Sequence, residues 1–220
     1  VMDGDRVKEY QPVATIKGSF SSILKGERTA LNFLQRMSGI STLVSKYVDA
    51  VSGTNAKIVD TRKTLPGHRI LDKYAVKIGG GDNHRINLSD GILIKDNHIN
   101  FLKNNGYSLS EIINKARLNA GFGLKIEIEV ETYKDAVNSV KSGADIVLLD
   151  NMPLDEMEKT VNDLRTIDKN VLIEASGGIG LNNVSNIAKT GVDIISVGAL
   201  THSVIAHDFS LISSCEYFTE

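Results

Sequence analysis

The sequence is short of several things at once. Its 220 residues hold no tryptophan, three prolines, 5% aromatics and a single cysteine, Cys215. One cysteine excludes an intrachain disulfide framework and a cysteine-rich zinc site, and it suits a reducing compartment. No apolar run approaches the roughly 20 residues of a membrane span. The opening stretch, VMDGDRVKEYQ, is not a signal peptide. Neither charge sign dominates, since 25 Lys and Arg stand against 27 Asp and Glu for a formal net charge of −2. There is thus no global basic field for nucleic acid or an anionic membrane, and any cationic site must be local. The expectation is a soluble cytoplasmic protein.

What is present is an ordinary globular composition, 41% hydrophobic and 24% charged, arranged with a rhythm. Apolar, β-rich runs recur as KIVDT (57–61), ILIK (92–95), KIEIEVE (125–131), DIVLLD (145–150), NVLIEAS (170–176) and DIISVG (193–198). Helical patterns fall between them at 69–78, 108–119, 132–142, 153–166 and 181–190. Alternating strands and helices predict βαβ units around a parallel sheet, with right-handed crossovers leaving a barrel or a doubly wound sheet. Glycine ends a helix just before a strand in NAGFGLKIEIE, KSGADIVLLD and KTGVDIISVG. The likeness of SGADIVLLDN to TGVDIISVGA points to equivalent barrel units. Six clear runs fall short of the usual eight strands, so the expected architecture is α/β, an open, incomplete barrel.

The first 26 residues lack this rhythm and read as short alternating strands with glycine turns. Residues 27–52 carry apolar positions at helical spacing (Leu31, Leu34, Met37, Ile40, Leu43, Val44, Tyr47, Val48, Val51), with Ser38 and Gly39 as a possible kink. The start resembles the tail of a second domain.

Ligand groups in parallel α/β folds gather at the C-terminal ends of the strands. Here those ends read Thr61-Arg62-Lys63, Lys95-Asp96-Asn97-His98, Asp150-Asn151, Ser176-Gly177-Gly178 and Gly198. One polar end is only a helix cap; five facing one rim make a site. Period-two geometry puts Glu127, Glu129 and Glu131 on one face of their strand. That face is solvated on an edge strand, but inside a barrel the carboxylates need cations or a metal to offset desolvation. Arg62, Lys63, Arg85 and Lys95 are at hand, and Mg²⁺ favours such oxygen ligands beside substrate phosphates. EASGGIGLNN and SVGALTHS occupy successive late turns, where glycine admits close backbone approach and helix starts favour phosphate. Arg69, Lys73 and Lys77 are spaced like a solvated helix face. His84 alone also reads as a satisfied structural histidine, and His68 as a loop residue. GGGDNHR is no dinucleotide fingerprint, because its glycines are contiguous and follow a helix. The sum suits a multiply anionic substrate and a phosphorylated, Mg²⁺-bound second ligand.

These residues also resemble the quinolinate phosphoribosyltransferase family. The similar segments are GERTALNFLQRMSGIST, DTRKTLPGHRILDKYAVKIGGGDNHRINLSDGILIKDNHI, EIEVE, VLLDN, EASGGI and SVGALTHS, which span nearly the whole chain. The resemblance implies an N-terminal α/β sandwich domain, here a remnant over 1–30 joined by about 205–220, with an open barrel over 31–204, a homodimer, and transfer of phosphoribose from phosphoribosyl pyrophosphate to quinolinate with Mg²⁺ and loss of CO₂. It implies that Arg62, His84, Arg85 and Lys95 bind the quinolinate carboxylates, with Arg28 reaching the neighbouring subunit's site. Lys63, Lys95, Glu129 and Asp150 would serve phosphoribosyl pyrophosphate, Glu129 and Asp150 its metal, and Lys63, Glu129 and Asp150 catalysis. Ser176, Gly177, Gly178, Gly198 and His202 would hold the 5′-phosphate. Family members carry a further segment ahead of the point where this sequence starts. Rival readings are a paralogue with a different acceptor, a phosphosugar isomerase or aldolase barrel, and a non-catalytic phosphate-ligand binder. A monocarboxylate acceptor would leave charges of the cation set unpaired.

Overall fold

A computed structural model describes residues 1–213. Cys215 and part of the 205–220 stretch expected to join the N-terminal domain lie outside the described residues. All six strands predicted from residue 57 onward form: β1 (Lys57–Val59), β2 (Ile92–Ile94), β3 (Ile126–Val130), β4 (Ile146–Asp150), β5 (Leu172–Ser176) and β6 (Ile194–Ser196). They build one sheet in the order β1-β6-β5-β4-β3-β2, parallel throughout. β1 and β2 are its edges, so the barrel is open, and a single bridge from Val59 to Asp82 extends the β1 edge. Ile126, Ile128, Val147, Leu149, Ile173, Ala175 and Ile195 are fully buried and form the centre of the core.

The helices that cover this sheet are α1 (Phe20–Ala50), α2 (Arg69–Ile78), α3 (Asp96–Asn104), α4 (Leu109–Asn119), α5 (Tyr133–Lys141), α6 (Leu154–Ile167), α7 (Val184–Lys189) and α8 (Ala199–His202). Those at 69–78, 108–119, 132–142 and 153–166 fall where the apolar periodicity puts them. α7 begins three residues later than expected because 181–183 form a turn. Among the described residues, no helix is long and apolar enough to cross a membrane.

Two expectations are corrected. Residues 1–19 contain no strand, and α1 already begins at Phe20. Alternation makes a strand only where a partner ladder exists, and none runs beside this segment among the described residues. Gly39 does not break α1, whose 31 residues run on unbroken. It serves close approach instead: a Cβ there would sit 2.3 Å from the Ile205 carbonyl oxygen, so glycine lets the 204–209 segment lie on the helix. Gln35 Nε2 donates to the Phe209 carbonyl at 2.9 Å and His207 N–H to the Gln35 carbonyl at 3.0 Å. At the end of β2, Lys95-Asp96-Asn97-His98 runs straight into a helix, since Asp96 opens α3 and His98 Nδ1 accepts the Lys95 backbone N–H at 3.0 Å.

The glycine run before His84 has a packing role. A Cβ on Gly79 would meet the Ser41 carbonyl oxygen at 2.5 Å, and one on Gly81 the Val44 side chain at 2.9 Å. These glycines let the chain turn off α2 tightly against α1 and pass under the β1 edge, which delivers Asn83, His84 and Arg85 to the rim.

Candidate active site

The C-terminal ends of the strands face one rim, and each supplies polar groups to it. At the β2 and β3 ends, Lys95 Nζ donates to Glu129 Oε2 at 2.8 Å. Asp150 ends β4 in register with Ser176 at the end of β5. Between them Asn151 adopts a left-handed conformation (φ 52°) and donates its backbone N–H to the Ser176 carbonyl at 2.9 Å and its side-chain nitrogen to Asp150 Oδ2 at 2.8 Å. Gly177 (φ 92°) lies so close that a Cβ would be 2.3 Å from Asn151 Oδ1. The SGG turn is therefore shaped around Asn151 and leaves its backbone open at the surface.

At the β6 end, a Cβ on Gly198 would stand 3.1 Å from both the His202 ring and Lys63 Cδ. Gly198, His202 and Lys63 thus share one corner. Thr201, buried in α8, fixes it by donating its hydroxyl to the Lys63 carbonyl at 2.8 Å. Behind the corner, Arg36 of α1 makes a two-pronged pair with buried Asp72 of α2, at 2.9 and 2.8 Å, and donates to the Thr201 carbonyl at 2.9 Å. Arg69, half-buried rather than solvated, donates to the Arg62 carbonyl, the Thr64 hydroxyl and the Ile86 carbonyl, and so buttresses the Arg62–Lys63 turn.

His84 is no isolated structural histidine. Its Nε2 lies 3.3 Å from Glu127 Oε2 and 3.2 Å from Glu174 Oε2, both carboxylates being buried. Burial opposes a charge on the ring, but the two carboxylates outweigh it and push the imidazole up to about 10. Burial, followed by the repulsion of Glu174, raises the Glu127 carboxyl, while His84 and Arg85 draw it down. Glu127 Oε1 and both oxygens of Glu174 have no hydrogen-bond partner among the described residues, and neither does Arg85 Nε. Arg85 is anchored through its guanidinium to the Gly91 carbonyl at 3.1 Å. The arrangement is a shell of cations standing on a floor of buried carboxylates.

Two family descriptions match this chain in sequence. "Quinolinate phosphoribosyl transferase, N-terminal domain" covers residues 1–38 and "Quinolinate phosphoribosyl transferase, C-terminal domain" covers 40–212. The chain belongs to the quinolinate phosphoribosyltransferase family. It is 43% identical over 211 residues to the nicotinate-nucleotide pyrophosphorylase (carboxylating) of Mycobacterium leprae, covering 96% of this chain and 72% of that protein. With the rat protein of the same name it shares 38% over 211 residues, covering 95% and 69%. Among solved structures, NadC from Streptococcus pyogenes superposes with a TM-score of 0.90 at 42% identity, over 97% of this chain and 72% of that one.

The fold of this quinolinate phosphoribosyltransferase sets most of the expected residues on the rim: Arg62, Lys63, Lys95, Glu129, Asp150, Ser176, Gly177, Gly178 and Gly198 at or just past strand ends, His202 on α8 beside Gly198, and His84 and Arg85 delivered by the 79–85 segment. Arg28 is exposed on α1. The expected solvated face of α2 is corrected at Lys73, which is only 2% exposed and bonded to Asp60 Oδ1 at 2.5 Å. Asp60, Lys73 and Glu174 were missed as site residues. Asp60 and Glu174 did leave a signal, a charged residue inside an otherwise apolar strand run. Such a position is buried only with a partner.

Proposed function

We propose that this chain performs the reaction its relatives are named for: transfer of the phosphoribosyl group of phosphoribosyl pyrophosphate to quinolinate, giving nicotinate mononucleotide, pyrophosphate and CO₂ in NAD biosynthesis. The observation that carries this is a rim supplied with Arg62 after β1, Lys95 after β2 and the His84–Arg85 pair, together with the glycine-lined corner that holds Lys63 and His202. Two adjacent carboxylates on a pyridine need several cations, and arginine grips them with two parallel hydrogen bonds. The Ser176–Gly178 turn, Gly198 and His202 receive the 5′-phosphate, since open glycine backbone and a nearby cation suit a phosphate.

Glu129 and Asp150 fit Mg²⁺. They offer hard carboxylate oxygens on neighbouring strands, with Lys95 bonded to Glu129. Held by these two carboxylates, Mg²⁺ would supply positive charge to neutralise the pyrophosphate leaving group. Glu129 and Asp150 also place negative charge where oxocarbenium character develops at the ribose as pyrophosphate departs. The pyridine nitrogen then bonds to the ribose carbon. Its new positive charge stabilises the electron pair left on C2 when the adjacent carboxylate leaves as CO₂, and that pair takes up a proton from solvent. No protein nucleophile is required; the residues bind, orient and balance charge.

The proposal includes a homodimer in which Arg28 reaches the neighbouring subunit's rim. It is supported by the exposed Phe20, Leu24, Phe33 and Leu34 on the same half of α1, an apolar surface suited to a second copy. The deciding experiment mixes the purified chain with quinolinate, phosphoribosyl pyrophosphate and Mg²⁺ and looks for nicotinate mononucleotide by mass spectrometry. Parallel arms replace quinolinate with nicotinate or add a chelator. Product from quinolinate with Mg²⁺ alone is expected. Product from nicotinate at an equal rate would overturn the two-carboxylate reading, and undiminished product under chelation the metal.

A further inference from the structure

His84 and Arg85 carry no regular secondary structure, yet substrate recognition needs their side chains at a fixed height above the sheet. Something must hold their backbone, and the hydrogen bonds show what does. Asp60, directly after β1, is fully buried, and Lys73 of α2 is only 2% exposed. Their ion pair is 2.5 Å long. Asp60 Oδ1 also accepts the His84 backbone N–H at 2.9 Å, and Lys73 Nζ also donates to the His84 carbonyl at 3.2 Å. Both peptide groups flanking the His84 side chain are therefore satisfied by the two halves of one buried ion pair. The Asn83 amide, with its nitrogen turned toward the pair, adds bonds to Asp60 Oδ2 at 2.9 Å and to the Lys73 carbonyl at 3.0 Å.

We infer that Asp60 and Lys73 are positioning residues for substrate recognition, a buried clamp that hangs the His84–Arg85 backbone at the height where both side chains meet the acceptor's carboxylates. The inference rests on the quinolinate reading of the rim and assigns to it two residues that do not touch the ligand. A buried ion pair is a poor device for stability alone, because apolar residues of similar volume often serve as well. What this pair supplies, and apolar replacements would not, is a donor and an acceptor aimed at one residue's peptide groups. The geometry also explains why α2 turns a lysine inward between half-buried Arg69 and exposed Lys77.

The test separates positioning from folding. Lys73→Met alone leaves the Asp60 carboxylate buried without its partner, and it should lower the melting temperature most. The double variant Asp60→Val/Lys73→Met removes both charges and should recover much of that loss. It should nevertheless bind quinolinate on the order of 100-fold more weakly, the penalty for roughly 1 Å of misplacement, while its dissociation constant for phosphoribosyl pyrophosphate stays within about twofold. Its His84 amide, freed from Asp60, should exchange with deuterium about tenfold faster or more. Unchanged quinolinate affinity in the folded double variant overturns the clamp, as does an unchanged His84 exchange rate. Should the double variant not fold, exposed Asn83→Ala decides: loss of the outer bonds should weaken quinolinate alone by a few-fold, and no change overturns the inference. Absence of quinolinate binding by the parent chain would sink the functional reading, leaving the His84 exchange rate to judge the clamp by itself.

Discussion

At the scale of single residues, His84 concentrates the physics of the site. It faces Glu127 on β3 and Glu174 on β5, with Arg85 beside it and Asp60 and Lys73 holding its backbone. Its pKa is raised from 6.5 to about 10, so the sign is that of a cation stabilised by folding. The contribution is complete below the unfolded value of 6.5 and is lost as pH rises through about 10. Since a charged imidazole favours a dicarboxylate, the KM for quinolinate should hold level to about pH 9 and climb beyond it. His84→Gln should start about tenfold higher or more and show no such climb. Glu174→Gln, which removes one of the two anions, should move the climb to lower pH. An alkaline limb unmoved by either substitution would mean that another group titrates. Little of this was legible in the sequence. Strand periodicity put Glu127 on the inward face, but which histidine it would meet depends on β3, β5 and the 79–85 segment converging. That is a matter of tertiary distance, invisible in the local pattern around NHR. Lys73 misled for a related reason: spacing of charges along α2 looks the same whether a lysine faces water or a buried aspartate.

At the scale of elements, the sequence was legible wherever the pattern itself causes the structure. The likeness between SGADIVLLDN and TGVDIISVGA has a shared cause in three dimensions. Asp145 Oδ2 accepts the Ile126 N–H at the foot of β3 and an Arg117 nitrogen from α4, at 2.7 and 2.6 Å. Asp193 Oδ2 does the same with Ile173 N–H on β5 and Arg165 of α6, at 2.7 and 2.5 Å. Each aspartate thus ties the start of its own strand to the foot of the preceding strand and to the end of an earlier helix. The two units repeat because both solve one problem, an unpaired N–H at the bottom of an inner strand. Asp193→Ala should cost about 1–3 kcal/mol, since Ile173 N–H loses its acceptor away from water, and denaturant midpoints at constant m-value would measure it. Asp145→Ala should cost a similar amount. Because both lie at the foot of the sheet, opposite the rim, neither should alter KM for either substrate in the folded fraction. A substrate-specific KM change would place these aspartates in the site after all. The N-terminal 19 residues were misread for the complementary reason: alternation is necessary for a half-buried strand, but hydrogen bonding to a neighbour makes it one.

At the scale of the whole molecule, the decisive expectation concerns a residue the single chain leaves at its surface. Arg28 is exposed on α1, on the half of the helix that also exposes Phe20, Leu24, Phe33 and Leu34. If a second copy covers that surface about a twofold axis, each Arg28 is carried to the partner's rim and each rim is completed by two chains. Two defective proteins should then repair each other. Arg28→Ala removes the cation that a chain lends, and Arg85→Ala removes one it keeps, so each variant alone should be nearly inactive. In a mixed dimer, the rim on the Arg28→Ala chain keeps its own Arg85 and borrows an intact Arg28, whereas the other rim lacks both. With random exchange half the dimers are mixed and half their rims are whole, so about a quarter of the parent activity should return. Sedimentation of the separate variants as dimers would show that assembly survived both substitutions. If activity fails to rise after subunits have demonstrably exchanged, Arg28 acts within its own chain or not at all. Recovery to about a quarter would show that the catalytic unit is the pair, a property that no amount of local sequence pattern in one chain contains.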